Sequence, residues 1–452
     1  MYVTRPLSRY LANPMAAAEA PPEGPGSGFL VVVDEAAAEQ ARACCWGLCR
    51  DRAVRSLPFP QSQQLSLKQD DTPHPAETAA ECLPEILGMC LDCLAGSSGG
   101  GGGPPGSKIA TLPDYAVFVP VVGEPLSSRR YYVVGADGKH AGKVSACSRE
   151  EDKTTCCFCS VTNDVPPRSF DRGDVYQQVE VQQLAPGKNG FTAVAVAGDG
   201  IPPDYLRKKK GWKAVGMASP TYDLDDDAQG VDAALRGRMP DGLDGAGVVV
   251  VGRWYVPFMF VKADGGRRLK DQFRRCTFYE MTMEQSWEQV YSRDRERDRE
   301  GAHGPPGPGS EPLEEVTVTA TVRRFTALLG GTDTVRPQAD DDGGVMWFRP
   351  PAAGTTAVGG VGVVGLDMVL WERMRWEVGK GGWVAAAAGS GGGDELERIE
   401  RVERRDGGGG LGQWRRFGCY LLLERFVLRR TDGSVALACE FRFTNKIRAK
   451  WV

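Results

Sequence analysis

FGCYLLLERFVLRRTDGSVALACEFRFTNK, residues 417–446, places two long apolar runs on either side of Asp432–Gly433. An Asp-Gly pair between apolar runs is a strong short-range signal for a β-hairpin, because both residues tolerate the positive φ of a tight turn. Residues 315–323, EVTVTATVR, alternate between polar and apolar at every position, as a half-buried strand does. The C-terminal part of the chain is therefore predicted to form long antiparallel strands.

Similar signals recur towards the N-terminus. Strand-like runs lie at 115–122 and 131–147, the second with Asp137–Gly138 inside it, and residues 175–184 alternate over most of their length. These hairpin signals outnumber the strand–helix–strand alternation of parallel sheets, while residues 366–376 have the period of an amphipathic helix. The pattern predicts an α+β fold with two sheet-bearing lobes, built mostly of antiparallel hairpins with a few short amphipathic helices.

Changes in composition divide the chain. Residues 216–247 are acidic, glycine-rich and weakly patterned, so we predict an acidic linker there between an N-terminal lobe (1–215) and a C-terminal lobe (248–452). Four tracts rich in glycine, proline or charge offer little apolar surface to bury, and we expect them to be flexible or disordered inserts. They are residues 95–107 in the first lobe and residues 293–312, 385–394 and 406–412 in the second.

The composition excludes several classes of protein. Of the 452 residues, 41% are hydrophobic and 25% charged, which is typical of globular domains and not of fibrous or collagen-like chains. A net charge of -4 does not favour a nucleic-acid or anionic-lipid partner. No apolar stretch approaches the ~18 residues of a membrane span, and the N-terminus lacks the apolar core of a secretory signal. We expect a cytoplasmic protein with reduced thiols, with a nuclear location as the alternative and an organellar one less favoured.

Long motifs along the chain carry a resemblance. They include MYVTRPLS at the N-terminus, GRWYVPFMFVK, FYEMTMEQSWE and RRFGCYLLLERFVLRR. With these motifs the chain resembles, over nearly its full length, the plant family called domain of unknown function 1262. The resemblance implies a plant source and a shared core in which the glycine-rich tracts are inserts. It implies no catalytic residue and no cofactor, because none is defined for that family.

Histidine is scarce, which limits the chemistry available. The three histidines are His74, His140 and His303, and only His140 lies in a segment predicted to be ordered. A histidine-rich metal site and an H-E-x-x-H protease motif are therefore excluded. A serine or cysteine hydrolase would have to use His140 as its base, but its position beside Lys139 favours a surface residue. We predict no catalytic residue.

Two C-x-x-C pairs are candidates for a zinc site. Cys90–Cys93 and Cys156–Cys159 could together supply four thiolates. A long glycine-rich insert separates the two pairs, and Cys90 and Cys93 also fit the apolar face of a predicted helix at 77–94. Buried thiols are the favoured interpretation, with zinc as the alternative.

Carboxylates form a second candidate site. Glu280, Glu284 and Glu288 fall at i, i+4 and i+8 of a segment with helical character, hence on one side of that helix, with Trp287 nearby. They could bind a cation or a polar ligand. The alternative is a solvated helix face, which is the usual place for a run of charges.

A basic cluster is a third candidate. Lys208, Lys209 and Lys210 follow Arg207 near the end of a predicted helix. They could bind phosphate groups, but cations also suit the C-terminal end of a helix dipole. We favour the second interpretation.

The function predicted from these observations is a non-catalytic interaction or regulatory role with a protein partner. The alternative is an enzyme or small-ligand carrier that uses carboxylates or a thiol in a cleft between the lobes. The two hypotheses differ in what a structure would contain. An enzyme needs a deep pocket with converging polar groups, whereas an interaction protein needs an exposed patch.

Overall fold

The computed structural model describes residues 1–40, 43–44, 49–69, 115–156, 159–185, 190–207, 211–217, 222, 224–238, 247–263, 268–294, 314–350, 362–384, 396–405 and 414–452. The predicted inserts at 95–107, 385–394 and 406–412, and most of the insert at 293–312, lie outside the described residues. The predicted helix at 77–94 also lies outside them.

Strands account for most of the regular structure in the described residues. In the first half of the chain they are β1 (Tyr2–Pro6), β2 (Gly28–Val32), β3 (Ala43–Cys44), β4 (Cys49–Arg50), β5 (Ala53–Val54), β6 (Leu65–Gln69), β7 (Tyr115–Pro120), β8 (Arg130–Gly135), β9 (Lys153–Cys156), β10 (Cys159–Thr162), β11 (Gln178–Gln183), β12 (Phe191–Ala195) and β13 (Trp212–Gly216). In the second half they are β14 (Gly230–Val231), β15 (Val249–Pro257), β16 (Val261–Ala263), β17 (Phe278–Asp294), β18 (Glu314–Arg323), β19 (Phe325–Leu329), β20 (Asp333–Ala339), β21 (Val345–Arg349), β22 (Val364–Asp367), β23 (Leu396–Arg405), β24 (Arg416–Arg429) and β25 (Val435–Trp451).

Helices are few and short by comparison. They are α1 (Leu7–Ala12), α2 (Glu35–Gln40), α3 (Asp204–Arg207), α4 (Leu269–Arg275) and α5 (Met368–Lys380). The predicted α+β class is therefore wrong, because the protein is mostly β. The physical reason is that long strands extend through segments such as 278–294, whose helix-favouring residues are held extended by strands paired on both sides. No helix within the described ranges is long and apolar enough to cross a membrane.

The larger sheet has twelve strands in the order β16-β22-β21-β20-β19-β25-β24-β17-β15-β1-β2, with β14 beside β15. Its centre is the antiparallel hairpin of β24 and β25, which confirms the hairpin predicted at 417–446. Gly433 at the tip has φ +79°, a conformation that glycine adopts without steric cost. β1 pairs antiparallel with β15 and parallel with β2, so two N-terminal strands belong to this sheet. The division into lobes at 216–247 stays a prediction.

The second sheet has seven strands in the order β12-β11-β8-β7-β6-β13-β5, and a pairing of β12 with β13 closes it on itself. The interior is filled with aromatic side chains that are almost fully buried: Phe59, Phe118, Tyr131, Phe191 and Trp212. Phe118 and Trp212 stack with ring centroids 5.7 Å apart. Aromatic side chains bury a large apolar surface, so these residues form much of the core of this sheet.

The main hydrophobic core lies between the two sheets. Alternate residues of β7 point in opposite directions, so that Phe118 enters the closed sheet while Val117 and Val119 join the core with Met283 and Phe426 of the large sheet. Burial on both faces explains the continuous apolar run of β7. α5 packs on the same core through Val369, Leu370, Met374 and Val378, which confirms the amphipathic helix predicted at 366–376.

A smaller second layer covers the far ends of the longest strands. β18 and β23 pair with each other along ten residues, Glu314 opposite Arg405 through to Arg323 opposite Leu396. Val316 and Val318 of β18 pack with Trp414 and Phe417 in a separate small cluster. We call this two-stranded layer the distal ribbon.

Candidate functional site

One surface depression among the described residues lies beside α5. The Asp367 carboxylate accepts a hydrogen bond from the Val369 backbone N–H at 2.9 Å, which caps the first turn of the helix. The apolar stripe faces the core, so Glu372 and Arg375 are left exposed on the opposite side. Together with Trp376 and Trp383 these two residues line an open groove of about 330 Å³. We call it the α5 groove.

Trp383 lies beyond the end of the helix. The chain turns at Gly382, which has φ +93°, and the Trp383 backbone N–H donates to the Val378 carbonyl at 2.9 Å. The indole meets Phe441 edge to face, with centroids 5.2 Å apart. Its Nε1 is buried without a hydrogen-bond partner. The turn at the end of α5 and the contact with Phe441 therefore fix Trp383 in place, and its indole forms one wall of the groove.

Trp376 forms the other aromatic wall and is held by cations. The Arg373 Cζ lies 4.7 Å from its ring centroid and the Lys380 Nζ lies 4.5 Å from it. Gly24 passes so close that a Cβ there would lie 2.8 Å from Cε3 of Trp376. The orientation of this indole is thus fixed by the helix and by a segment from the N-terminal part of the chain.

A chain of buried charges ties α5 to the large sheet. Arg373 donates to the Glu377 carboxylate at 2.5 Å and to the Ser27 hydroxyl at 2.6 Å. Arg236 donates from two nitrogens to the two carboxylate oxygens of Glu424, both at 2.7 Å, and to the Glu377 carbonyl at 2.8 Å. Glu424 is 0% exposed. Buried charges of this kind are tolerated only when they are paired, as these are.

Burial shifts the pKa values of Glu424 and Arg373, which lie at the two ends of this series of buried charges. Desolvation raises the pKa of Glu424, with the ion pair to Arg236 acting in the opposite direction. Desolvation also lowers the pKa of Arg373, against the stabilising effect of Glu377. Among these buried charges, Arg373 contacts the groove directly, because it lies against the ring of Trp376.

The three predicted carboxylates lie on β17, a strand, so the predicted helix is wrong at this point. A spacing of four residues places side chains on one face of a strand as well as on one side of a helix, so the glutamates still share a face. Each is paired with an arginine from another strand of the large sheet: Glu280 with Arg253 of β15 at 3.3 Å, Glu284 with Arg429 of β24 at 2.7 Å and Glu288 with Arg442 of β25 at 2.6 Å. The structure therefore brings cations, and not an open ligand site, to these carboxylates.

Trp287 does not join the glutamates. It lies on the opposite face of β17, where it is buried, and its Nε1 donates to the Arg238 carbonyl at 3.2 Å. On the same face Gln285 accepts from the Gly237 N–H at 2.6 Å and donates to the Arg238 carbonyl at 3.0 Å. These contacts hold the segment that carries Arg236 against the sheet.

The other candidate residues are only partly described. Cys156 and Cys159 lie opposite each other in the β9–β10 hairpin, whereas Cys90 and Cys93 lie outside the described residues. Lys208, Lys209 and Lys210 lie outside them as well. Where the backbone is described, no group of three or more potential ligands is placed to hold a metal. The zinc and phosphate hypotheses for these residues stay untested.

His140 lies in a short turn of 3-10 helix. Its Nδ1 is buried without a hydrogen-bond partner. Burial lowers its pKa first, and the neighbouring Lys139 and Lys143 lower it further. A catalytic histidine is normally oriented by a carboxylate, which stabilises its cation, and the lysines do the reverse.

Sequence reasoning missed the residues that build the α5 groove and its support. Arg375, Trp383 and Arg236 are not among the candidates that the sequence analysis singled out. One signal was available for the support: Glu424 occupies an inward position between Leu422 and Phe426 in an apolar strand. A carboxylate at such a position requires a buried partner.

Comparison with known proteins gives a family match and a fold comparison. Residues 23–158 match the family model described as "Protein of unknown function (DUF1262)", which supports the predicted resemblance over that range. The comparison with curated proteins found no match. Among solved structures, the chain is similar to "Crystal structure of Cry35Ab1", with 13% sequence identity, 75% of this chain and 79% of that chain covered, and a TM-score of 0.37.

Proposed function

We propose that this chain is a non-catalytic interaction protein that binds a protein partner through the α5 groove. The observation that carries the proposal is an open groove in which two fixed indoles flank an exposed arginine and glutamate. Tryptophan and arginine are enriched among the residues that dominate binding energy at protein interfaces. An enclosed small-molecule site, in contrast, buries most of its ligand.

The rigidity of the groove supports the proposal. Trp376 is held by Arg373, Lys380 and the close approach of Gly24, and Trp383 by the turn at the end of α5. Side chains that are already fixed lose little conformational entropy when a partner binds, so more of the contact energy appears as affinity.

The charges of the groove define the chemistry of the partner. Glu372 and Arg375 are three residues apart on one helix, a spacing that places side chains ~5–6 Å apart at Cβ. A matching surface presents a basic side chain to Glu372 and an acidic one to Arg375, with an apolar side chain between the indoles. This pattern suits a folded protein surface or a short helix.

The enzyme alternative receives less support from the described residues. The three carboxylates that it would use are each engaged by an arginine. The buried thiols of Cys147, Cys276 and Cys439 have pKa values raised by desolvation, which disfavours the reactive thiolate.

The test uses the full chain and exposed substitutions. Partners captured by the wild type are purified and their affinity is measured directly for wild type, Glu372→Arg and Arg375→Glu. We expect each reversal to weaken binding at least about tenfold, because it leaves like charges facing each other across the interface. Arg274→Glu, an exposed arginine on α4, is the matched control and should bind as the wild type does.

Two outcomes would overturn the proposal. One is a partner whose affinity is unchanged by both reversals. The other is a metabolite that raises the Tm of the wild type but not of Arg375→Glu, because the groove would then be a small-ligand site.

We make two further proposals on the basis of the motifs of the chain. The family assignment is proposed to hold beyond residues 23–158, and the protein is proposed to act in the cytoplasm of plant cells. A fluorescent fusion of the full chain that accumulates in an organelle would contradict the second proposal.

A further inference from the structure

One edge of the distal ribbon is suited to pairing with a further strand. β18 pairs with β23 over ten consecutive residues without a bulge. On its other edge β18 has no strand partner among the described residues. Such an edge presents a row of unpaired backbone N–H and C=O groups, and natural proteins usually protect it with charges, prolines or bulges.

The two strands of the ribbon differ in this protection. β23 reads LERIERVERR, in which glutamates and arginines occupy most positions. β18 reads EEVTVTATVR, with charges only at its two ends and no lysine or proline. The edge of β18 is therefore the edge that favours pairing with a further strand. The charges of β23 disfavour such pairing along the edge of β23.

β18 is complementary to itself when it is reversed about Thr319. Thr317 and Thr321 are equidistant from this centre, and so are Val316 and Val322. At the ends, Glu315 is matched with Arg323, a pair of opposite charge. In an antiparallel pair of two identical strands centred on Thr319, each of these residues lies directly opposite its match.

The burial pattern supports this register. Glu315, Thr317, Thr319, Thr321 and Arg323 are all exposed on the outer face, whereas Val316, Val318 and Val322 are buried on the inner face. In the register centred on Thr319, odd residues face odd residues, so both copies keep their polar face outward and their apolar face inward. A slip of one residue would set the valines of one copy against the threonines of the other.

We propose that a second copy of this chain binds along the free edge of β18, forming an isologous two-fold dimer centred on Thr319. The pair joins the two ribbons into one four-stranded layer. Threonines face threonines across the new pairing, and Glu315 of each copy faces Arg323 of the other at both ends.

Charge reversal tests the pairing on the full chain by light scattering. Glu315→Arg and Arg323→Glu each create like charges at both ends and should shift the chain to monomer. The double variant Glu315→Arg/Arg323→Glu restores opposite charges and should restore the dimer. Glu315 also pairs within its own ribbon with Arg404 at 3.0 Å. Arg404→Glu is therefore the control; it breaks that internal pair and should leave the dimer intact.

Single cysteines test the register. Directly opposed residues of an antiparallel pair have Cα atoms ~4.5–5.5 Å apart, within the range of a disulfide. With oxidised glutathione as the electron acceptor, Thr319→Cys should cross-link to its own copy, as mapped by peptide mass spectrometry. Thr317→Cys alone should not form a cross-linked dimer. When it is mixed with Thr321→Cys, a disulfide should join the two variants.

These outcomes decide the proposal. A dimer that is lost in the single charge variants, rescued in the double variant and cross-linked through Thr319→Cys supports it. A chain that is monomeric at all accessible concentrations overturns it. A dimer that persists unchanged in the Glu315→Arg variant also overturns it, and so does a dimer that cross-links through Thr317→Cys alone.

Discussion

Arg236 and Glu424 form a two-point ion pair on the inner face of the large sheet, with Nε 2.7 Å from Oε1 and Nη2 2.7 Å from Oε2. They are 188 residues apart in sequence. The same arginine also reaches the Glu377 carbonyl of α5. One guanidinium thus joins a loop, a central strand and the helix that carries the groove.

Removing the arginine of this pair should be costly. Arg236→Met leaves the Glu424 carboxylate buried without its partner, and we expect a loss of about 3–5 kcal/mol in the free energy of unfolding. Replacing both residues, in Arg236→Met/Glu424→Leu, should recover most of that loss because no charge stays buried. Urea unfolding measures both, with the exposed Arg274→Met as control, for which we expect a change of about 0.5 kcal/mol or less. Equal stability of Arg236→Met and the control would contradict the prediction.

The raised pKa of Glu424 predicts a pH dependence with a definite sign. The ordinary value is 4.5, and the native carboxyl holds its proton more tightly than the unfolded one does. Its contribution to stability is therefore fully present below pH 4.5 and is lost as the pH rises through the native pKa. Glu424→Gln does not titrate, so the stability of the wild type relative to this variant should fall as the pH is raised. Urea unfolding at a series of pH values checks it, and a difference that grows with pH would show that the sign is wrong.

Gly24 should be needed for the shape of the α5 groove. It has φ +100°, and a Cβ there would overlap Nη1 of Arg373 and would lie 2.8 Å from Cε3 of Trp376. Gly123 has a comparable φ of +85°, but a Cβ there would meet nothing within 4 Å. Both Gly→Ala variants pay the cost of a left-handed backbone, ~1–2 kcal/mol, and Gly24→Ala should lose about 1–3 kcal/mol more from steric overlap.

Near-ultraviolet circular dichroism separates the two glycine variants further. Gly24→Ala should change the tryptophan signal because it displaces the Trp376 indole, and Gly123→Ala should not. Identical spectra and stabilities for the two variants would mean that the close contact is relieved without cost.

The sequence predicts those elements whose signal is local. The hairpin at 417–446 is predicted by Asp432–Gly433 and the apolar runs beside it. α5 is predicted by the helical period of residues 366–376. β17 was misassigned because glutamates at i, i+4 and i+8 share a face in a helix and in a strand alike. Only the strands paired on both sides of β17 resolve this ambiguity, and one of them, β24, comes from a distant part of the chain.

The groove depends on contacts that leave no local signal. The buried Arg373 finds one of its hydrogen-bond partners in Ser27, which is 346 residues away in sequence. Trp383 becomes a wall only because Phe441 of β25 lies against it. Periodicity identifies which face of α5 is apolar, but it cannot identify what the remaining side chains meet.

The place of β1 in the large sheet has a consequence for biosynthesis. β1 lies between β2, which follows it closely, and β15, which ends at Pro257. While the ribosome is still making the middle of the protein, β1 has only its parallel neighbour, and one flank stays without its antiparallel partner. Pairings over so long a stretch form slowly, and nascent chains with open strands are prone to aggregate. We expect the newly made N-terminal segment to be the part of this protein that depends most on chaperones.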